Sequence, residues 1–520
     1  MARPRDLALQ IDLFSAPVSP LAPSVSNAPI ARRTFAPTAE QLAVVAASDA
    51  GESLAANAFA GAAKTTTLEL VAERQHSRRQ RGIYLAFNRA IAAEAAGRFG
   101  TRAQCKTTHS LAYGAIAGLY GGDSSKLTGA MSVNAVIQWL SLQRDDIDGM
   151  SPRHAAEAIR RTVAAYCYSA DAQISIDHVF WPTASRQWSP AYSANYAQAV
   201  VSYATRLWTA AQQPDSPVPL GHDGYLKRWA MQQPRFRWDY VMLDEAQDSN
   251  PVLLQALSGA SVPVFYVGDQ YQQIYSFRNA VNAMAAIPKE RSYYLTQSFR
   301  FGEDIAALAT RVLNLLDEER AVVGAGGPGV VVTDNGHCAP SLPFAAIGRT
   351  NAGLIGAIFE ADRKGLAVHV VGGTTEIMAL IESAELLQAG ISPADGPLFG
   401  FESWQAFIQH VKEFGGELRP FVQIVELHGL TAIRSVLARV VEVEADAGVV
   451  VSTAHKSKGR EWQRVVLLDD YRLMRRTLGD ETARGLDEEL RIFYVALTRA
   501  KSELFVPTVL LRDLSEAEML

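Results

Sequence analysis

The reading of one stretch, NAFAGAAKTTTLEL at residues 57–70, decides the fold. It has the outline of a phosphate-binding loop opening a helix. Of the pattern G-x-x-x-x-G-K-[ST] it keeps Lys64 and Thr65, with Gly61 inside the loop, but Ala58 and Ala63 stand in the two glycine slots. Glycine before the lysine lets backbone amides approach phosphate with no Cβ in the way. Ala63 therefore fits only at negative φ, the conformation expected of a good helix former at a helix entrance. The loop alone does not decide whether the chain binds and hydrolyses a nucleoside triphosphate.

The bounds are those of an ordinary soluble protein. A chain of 520 residues is long enough for two to four domains. With 48% hydrophobic and 20% charged residues it has a large core to bury. The formal net charge of -5 means that a polyanion partner needs a local basic groove. Cys105, Cys167 and Cys338 show no metal-ligand or C-x-x-C spacing and read as reduced thiols of a cytoplasmic protein. The start, MARPRDLALQIDLFSAP, carries Arg3, Arg5, Asp6 and Asp12 and reads as no signal peptide. The long uncharged stretch 249–268 is broken by Asn250, Pro251, Gln255 and Pro263, so no membrane span is expected. Residues 1–33 read as a flexible Pro/Ala-rich arm and a candidate for recruiting a protein partner.

Short apolar runs alternate with helical patterns after the arm. GIYLAF (82–87), YVMLD (240–244), VPVFYVGD (262–269), AAIGRT (345–350), AVHVVGG (367–373) and VVLLDD (465–470) end in polar or glycine residues. Buried parallel strands look this way when their C-terminal ends carry the working groups. RAIAAEAAGRFG and EDIAALATRVLNLLDEE read as helices, and an α/β architecture follows. A triphosphate site also needs a carboxylate for magnesium, a group that orients water, and a cation for the γ-phosphate. YVMLDEAQD supplies Asp244 for the metal and Glu245 for the water directly after a strand. Taken alone, that acid pair is more often a solvated loop or a helix cap.

Further motifs carry a family likeness. DEAQD, VGDQYQQIYSFRNA (267–280), QSFR (297–300), TAHKSKGREW (453–462) and YVALTRAK (494–501) stand in order along the chain. Together they resemble the motifs of UvrD/Rep-family superfamily 1 DNA helicases. AFAG, LAFNRAIAAEA, CKTTHSLAY, HDGYLKRW and FESWQAFIQHV are similar to the F-box DNA helicase branch, with no F-box evident. The resemblance implies two RecA-like P-loop domains with parallel sheets, each carrying an inserted, mainly helical subdomain. The expected boundaries are 34–120 with 223–300 for the first domain and 121–222 for its helical insertion. The second would comprise 301–373 and 446–520, with a small accessory insertion at 374–445.

By the same resemblance, Gly61, Ala62, Ala63, Lys64, Thr65 and Thr66 form the phosphate cradle, with Thr65 and Asp244 on Mg2+. Gln41 of FAPTAEQ would read the adenine edge, Phe299 would stack on adenine, and Glu461 would hold the ribose. Gln272, Arg300 and Arg499 would meet the γ-phosphate, the last from the other domain. Phe87, Asn88, His109, Tyr275, Phe277, Arg278, Thr453 and His455 are the implied DNA contacts, some as sequence-tolerant stacking platforms. The expectation is an ATP-dependent translocase on single-stranded DNA and single/double-strand junctions, with 3′ to 5′ polarity by resemblance, in repair or recombination. Two other readings stand beside it: a nucleotide-binding DNA clamp slowed by Ala63, and an RNA-directed motor.

Overall fold

The structure, a computed structural model, describes residues 36–518 apart from 87, 145, 148, 183–184, 186–187, 275–281, 334–339, 394–397, 415–417 and 474–482. Phe87, Tyr275, Phe277, Arg278, Cys338 and the N-terminal arm lie outside the described residues.

Strands form where runs of small and branched residues can be buried on both faces. In one sheet β1 (Leu54–Ala58), β2 (Gly82–Ala86), β3 (Ala103–Thr107), β4 (Tyr240–Leu243), β5 (Val264–Gly268) and β6 (Ser292–Leu295) stand in the order β3-β2-β4-β5-β1-β6. β7 (Gln297–Ser298) and β8 (Val323–Gly324) make a separate pair. β9 (Val330–Thr333), β10 (Phe344–Gly348), β11 (Val368–Val370), β12 (Val449–Thr453), β13 (Trp462–Leu467) and β14 (Ala500–Val506) form the other large sheet, ordered β11-β12-β10-β13-β14-β9. Neighbours in both large sheets run parallel. This is the α/β architecture that the alternating pattern implies, and each of the six apolar runs read as strands carries one. β1 escapes that reading because LAANA is alanine-rich and alanine is depleted in strands; burial of all five residues decides it.

Helices cover the sheets. α1 (Ala39–Ala47) starts in a capping box, with Thr38 Oγ1 accepting from the Gln41 amide and Gln41 Oε1 accepting from the Thr38 amide. α2 (Lys64–Ser77), α3 (Arg89–Phe99) and α4 (Thr108–Ile116) each follow a strand of the first sheet. Helices that include Pro152–Tyr168, Pro190–Gln212 and His222–Ala230 lie between β3 and β4, and share one core with Ala55, Ile83 and Leu85 of the sheet. Between β11 and β12 stand Thr375–Gln388, Trp404–Phe414, Arg419–His428 and Leu430–Leu437. Their apolar residues pack with Phe344 and Val368 of the second sheet. A further core joins Phe59, Ala60 and Tyr271 from the first half to Phe493 and Tyr494 from the second.

Among the described residues no helix is long and apolar enough to cross a membrane. Cys105 and Cys167 are unpaired thiols.

Gly82 opens β2 opposite Tyr240 of β4. A Cβ built on it would lie 2.2 Å from the Tyr240 ring, which is itself buried. Gly82→Ala is expected to cost about 1–3 kcal/mol through overpacking. The check is a lower denaturant midpoint at unchanged slope; a wild-type midpoint would mean that the ring has room to move.

Candidate nucleotide cleft and strand groove

The loop between β1 and α2 turns through two left-handed residues. Gly61 sits at φ 77, and a Cβ there would lie 2.4 Å from Ser298 Oγ and 2.7 Å from Arg300 Cβ, so only glycine passes. Ala63 takes φ 57 and ψ 46 as the residue preceding α2. This corrects the negative φ expected from its helix propensity. The turn is fixed from both sides, with Ala62 N donating to Phe59 O and Thr67 N donating to Ala63 O, each at 3.0 Å. With Phe299 N donating to Gly61 O at 2.9 Å and Ala60 N to the Tyr494 hydroxyl at 3.1 Å, closure of the loop overrides local preference, at a cost of roughly 1–2 kcal/mol for a non-glycine residue. Glu245 is also left-handed, at φ 51, so strain gathers where the two strand ends meet.

Between these ends and the second half lies a cleft of ≈ 720 Å³, a fitting size for a nucleotide. The structure brings Gly61, Ala62, Ala63, Lys64, Thr65, Thr66, Asp244, Glu245, Gln272, Phe299, Arg300, Glu461 and Arg499 onto its walls. Lys64 Nζ lies 3.3 Å from Glu245 Oε1. Thr65 Oγ1 donates to Asp244 Oδ2 at 3.0 Å, and the Tyr84 hydroxyl donates to the same oxygen at 2.6 Å. Burial disfavours the charge on Lys64, but the carboxylates of Glu245, Asp269 and Asp244 outweigh it and hold the ammonium above the usual lysine range. For Glu245 burial likewise pushes upward and loses to Lys64 and Lys458, leaving the carboxyl well below its usual range. Asp244 goes the other way, raised by burial and then by the neighbouring Glu245 charge. A hydroxyl beside a carboxylate is a hard-oxygen pair, the donor set that suits magnesium when phosphates and water complete the shell.

Residues before β13 and β14 form the far wall. Arg300 Nε donates to Glu461 Oε2 at 2.8 Å and its Nη1 to the Thr498 carbonyl at 2.9 Å. Lys501 reaches the other oxygen of Glu461 at 2.6 Å. Arg499 is 1% exposed, with Nη2 3.4 Å from Gln272 Oε1. Burial, then the nearby Arg300 charge, presses its guanidinium down to about 9. Lys458 pairs with Asp248 and donates to the Gln272 carbonyl at 2.6 Å. The Tyr494 hydroxyl accepts from Ala60 N at 3.1 Å and donates to Asp269 Oδ2 at 3.3 Å, spanning both halves. Tyr84, Asp269, Lys458 and Tyr494 are site residues that the sequence reading does not identify. Three of them lie inside the quoted motifs VGDQYQQ, KSKG and YVALTRAK, which was the available signal.

Gln41 stands apart from the cleft walls. One end of its amide completes the α1 capping box and the other donates to Thr67 Oγ1 at 3.0 Å, so both ends are engaged within the fold.

Of the strand-contact candidates, Asn88 and His109 share a second groove of ≈ 650 Å³ on the first half, with Arg89, Tyr113, His222 and Tyr225. Asn88 caps α3 by accepting from Ile91 N. His109 Nε2 lies 3.5 Å from Asp223 Oδ1, and Tyr168 donates to the other Asp223 oxygen at 2.9 Å. Burial resists ionisation of Asp223, yet hydrogen bonds from His109 and Tyr168 keep its carboxyl below the usual range. Thr453 caps the short helix Ala454–Ser457, and His455 Nε2 lies 3.1 Å from the Ile274 carbonyl.

Two family descriptions match this chain: the UvrD/REP helicase N-terminal domain over residues 38–286, and the UvrD-like helicase C-terminal domain over residues 401–510. The chain is similar to F-box DNA helicase protein 1 of Schizosaccharomyces pombe, at 29% identity over 90% of this chain and 57% of that protein. It is 28% identical to F-box DNA helicase 1 of Gallus gallus, over 85% of this chain and 46% of that one. A probable DNA helicase II homolog of Mycoplasma genitalium is 30% identical over 17% of this chain and 13% of its own. The chain thus spans about half the length of the two F-box DNA helicases that it matches.

The left-handed Ala63 gives a direct test of the loop. Ala63→Gly is expected to raise the unfolding free energy by about 1 kcal/mol, because glycine adopts this conformation without a Cβ penalty. A higher denaturant midpoint is the expected reading; a lower one would mean that the methyl group's packing outweighs the strain.

Proposed function

This chain belongs to the UvrD-like helicase family, and from that premise we propose that it is an ATP-driven translocase on single-stranded DNA and a DNA helicase. The observation that carries the reading is the single cleft in which Lys64, Thr65, Asp244 and Glu245 face Arg300, Glu461 and Arg499. In this proposal Lys64 and the loop amides hold the β- and γ-phosphates, and Phe299 lies against the base. Bound Mg2+, held by Thr65 and Asp244, would supply charge neutralisation on the phosphates. Glu245, kept ionised by Lys64 and Lys458, orients the attacking water by accepting its proton. Arg300 and Arg499 exchange their present partners, Glu461 and Gln272, for phosphate oxygens and so draw the two halves together. Hydrolysis releases that grip. Alternating closure moves a strand past Asn88 and His109 on one half and past Thr453 and His455 on the other. A 3′ to 5′ direction, action at single/double-strand junctions and use in repair or recombination are proposed on family likeness.

A second reading, a DNA clamp with little turnover, is favoured by one observation: the strained Ala63 before the catalytic lysine. ATPase rate with and without single-stranded DNA, on wild type beside Lys64→Ala, separates the two. The motor reading expects DNA-stimulated hydrolysis lost in the variant. Equal, negligible rates in both, rising several hundredfold on Ala63→Gly, would establish the clamp.

Two further outcomes are expected. Glu245→Gln keeps ATP and DNA binding but nearly abolishes turnover, since the water loses its orienting carboxylate while Asp244 stays; near-wild-type turnover would remove Glu245 from the mechanism. Tyr494→Phe leaves the Ala60 amide without its buried acceptor, a loss of about 1–3 kcal/mol. Felt in the closed state, that is on the order of tenfold or more in DNA-stimulated ATPase, with nucleotide-free DNA affinity preserved. Equal loss of both would make Tyr494 a general stabiliser.

A further inference from the structure

The opposite end of the first sheet carries an unusual charge arrangement. A groove of ≈ 610 Å³ is lined there by His76, Arg79, Arg81, Arg102, Arg237 and Trp238, and no carboxylate lines it among the described residues. It opens where Gly82 begins β2 and Ala103 begins β3. Asn88 and His109 follow the other ends of those strands. Five-residue strands set the two faces roughly 15 Å apart.

Neighbouring arginines show what an ordinary surface does with such charges. Arg78 pairs with Asp49 at 2.8 Å, and Arg98 with Glu69 at 2.6 Å. In the groove Arg81 reaches Asp239 only at 3.7 Å, and Arg102 reaches Glu73 only at 3.8 Å. Arg79 and Arg237 have no carboxylate within ion-pair reach among the described residues, and the Arg237 guanidinium lies 4.8 Å from the centre of the Trp238 ring. On a chain of net charge -5 this is a local concentration of guanidinium groups, two of them only loosely paired and two with no carboxylate partner among the described residues. Their mutual repulsion is relieved when a polyanion enters.

We infer that this groove is a second nucleic-acid site, holding phosphates of a strand segment outside the track that contains Asn88 and His109. Planar guanidinium forks match phosphate oxygens in pairs. Nucleic acid is favoured over an acidic peptide because its charges come densely and evenly, one per roughly 3.4 Å along each strand, against a row of several guanidinium groups. The site is separate from the nucleotide cleft and does not rest on turnover.

The test uses the full chain carrying Lys64→Ala, so that hydrolysis plays no part, with and without Arg79→Ala plus Arg237→Ala. Fluorescence anisotropy against salt is measured on single-stranded DNA of about 10 nucleotides, enough for one site, and about 40, enough for both. On the long strand the double variant is expected to bind on the order of tenfold more weakly. The slope of log affinity against log salt should be shallower by about 1.4, or 0.7 for each arginine. The short strand should bind as before, and Arg79→Lys with Arg237→Lys should restore most of the slope. An unchanged long-strand slope, or equal losses on both lengths, overturns the proposal. So does a polyglutamate peptide whose binding the double variant loses while DNA binding stays intact.

Discussion

The molecule depends on the joint at Tyr494. Its buried hydroxyl accepts the Ala60 amide at the mouth of the phosphate loop and donates to Asp269 at the end of β5, while its ring packs in the core shared by both halves. A hydroxyl is suited to this place because it both accepts and donates, satisfying an amide and a carboxylate that burial would otherwise leave costly. Asp269 passes the contact to Gln272, and Gln272 to Arg499. Motion between the sheets therefore disturbs the loop, the carboxylate and the arginine together.

The cleft's charge balance follows from that joint. Lys64, Arg300 and Lys458 would repel one another in a closed space were each not matched: Lys64 with Glu245, Arg300 with Glu461, Lys458 with Asp248. Arg499 is bonded to neutral oxygens, and burial, then the neighbouring Arg300 charge, presses its guanidinium down. A triphosphate would bring the missing negative charge, so a nucleotide both fits the cleft and improves its electrostatics. The two sheets contribute unlike edges, with strand C-terminal ends on one side and the residues before β13 and β14 on the other. The loop amides, Asp244 and Glu245 come from the first edge, and Glu461, Lys458, Arg499 and Lys501 from the second.

Polar burial elsewhere follows the same economy of partners. Lys227 is fully buried within the helices between β3 and β4, yet donates to the carbonyls of Ser169 and Asp171 at 2.7 and 2.6 Å. Burial still draws its ammonium down to about 8. His154 of Pro152–Tyr168 reaches the Pro393 carbonyl at 3.0 Å, so the helices attached to one sheet touch the segment attached to the other.

The sequence by itself determined the architecture and most, not all, of the cleft's working residues: it missed Tyr84 and Lys458 and placed Gln41 there. Apolar runs ending in polar residues marked six of the strands, and ordered motifs picked out Lys64, Asp244, Glu245, Gln272, Arg300, Glu461 and Arg499, which the fold gathers on one cavity. Such features are legible because they are local in the chain: a strand needs its own apolar residues, and a phosphate loop its own lysine and hydroxyl. Only the tertiary structure decided that LAANA is a strand, that Ala63 is left-handed, that Gln41 spends its amide on Thr38 and Thr67, and that Tyr494 bridges the halves. Most of these depend on partners that chain proximity does not supply: Gln41 meets Thr67 across 26 residues, and Tyr494 meets an amide 434 residues before it. Burial on both faces can outweigh alanine's weak strand preference, and closure of a loop against its neighbours can outweigh a helix former's preferred φ, because packing free energies sum over many contacts and local propensities do not.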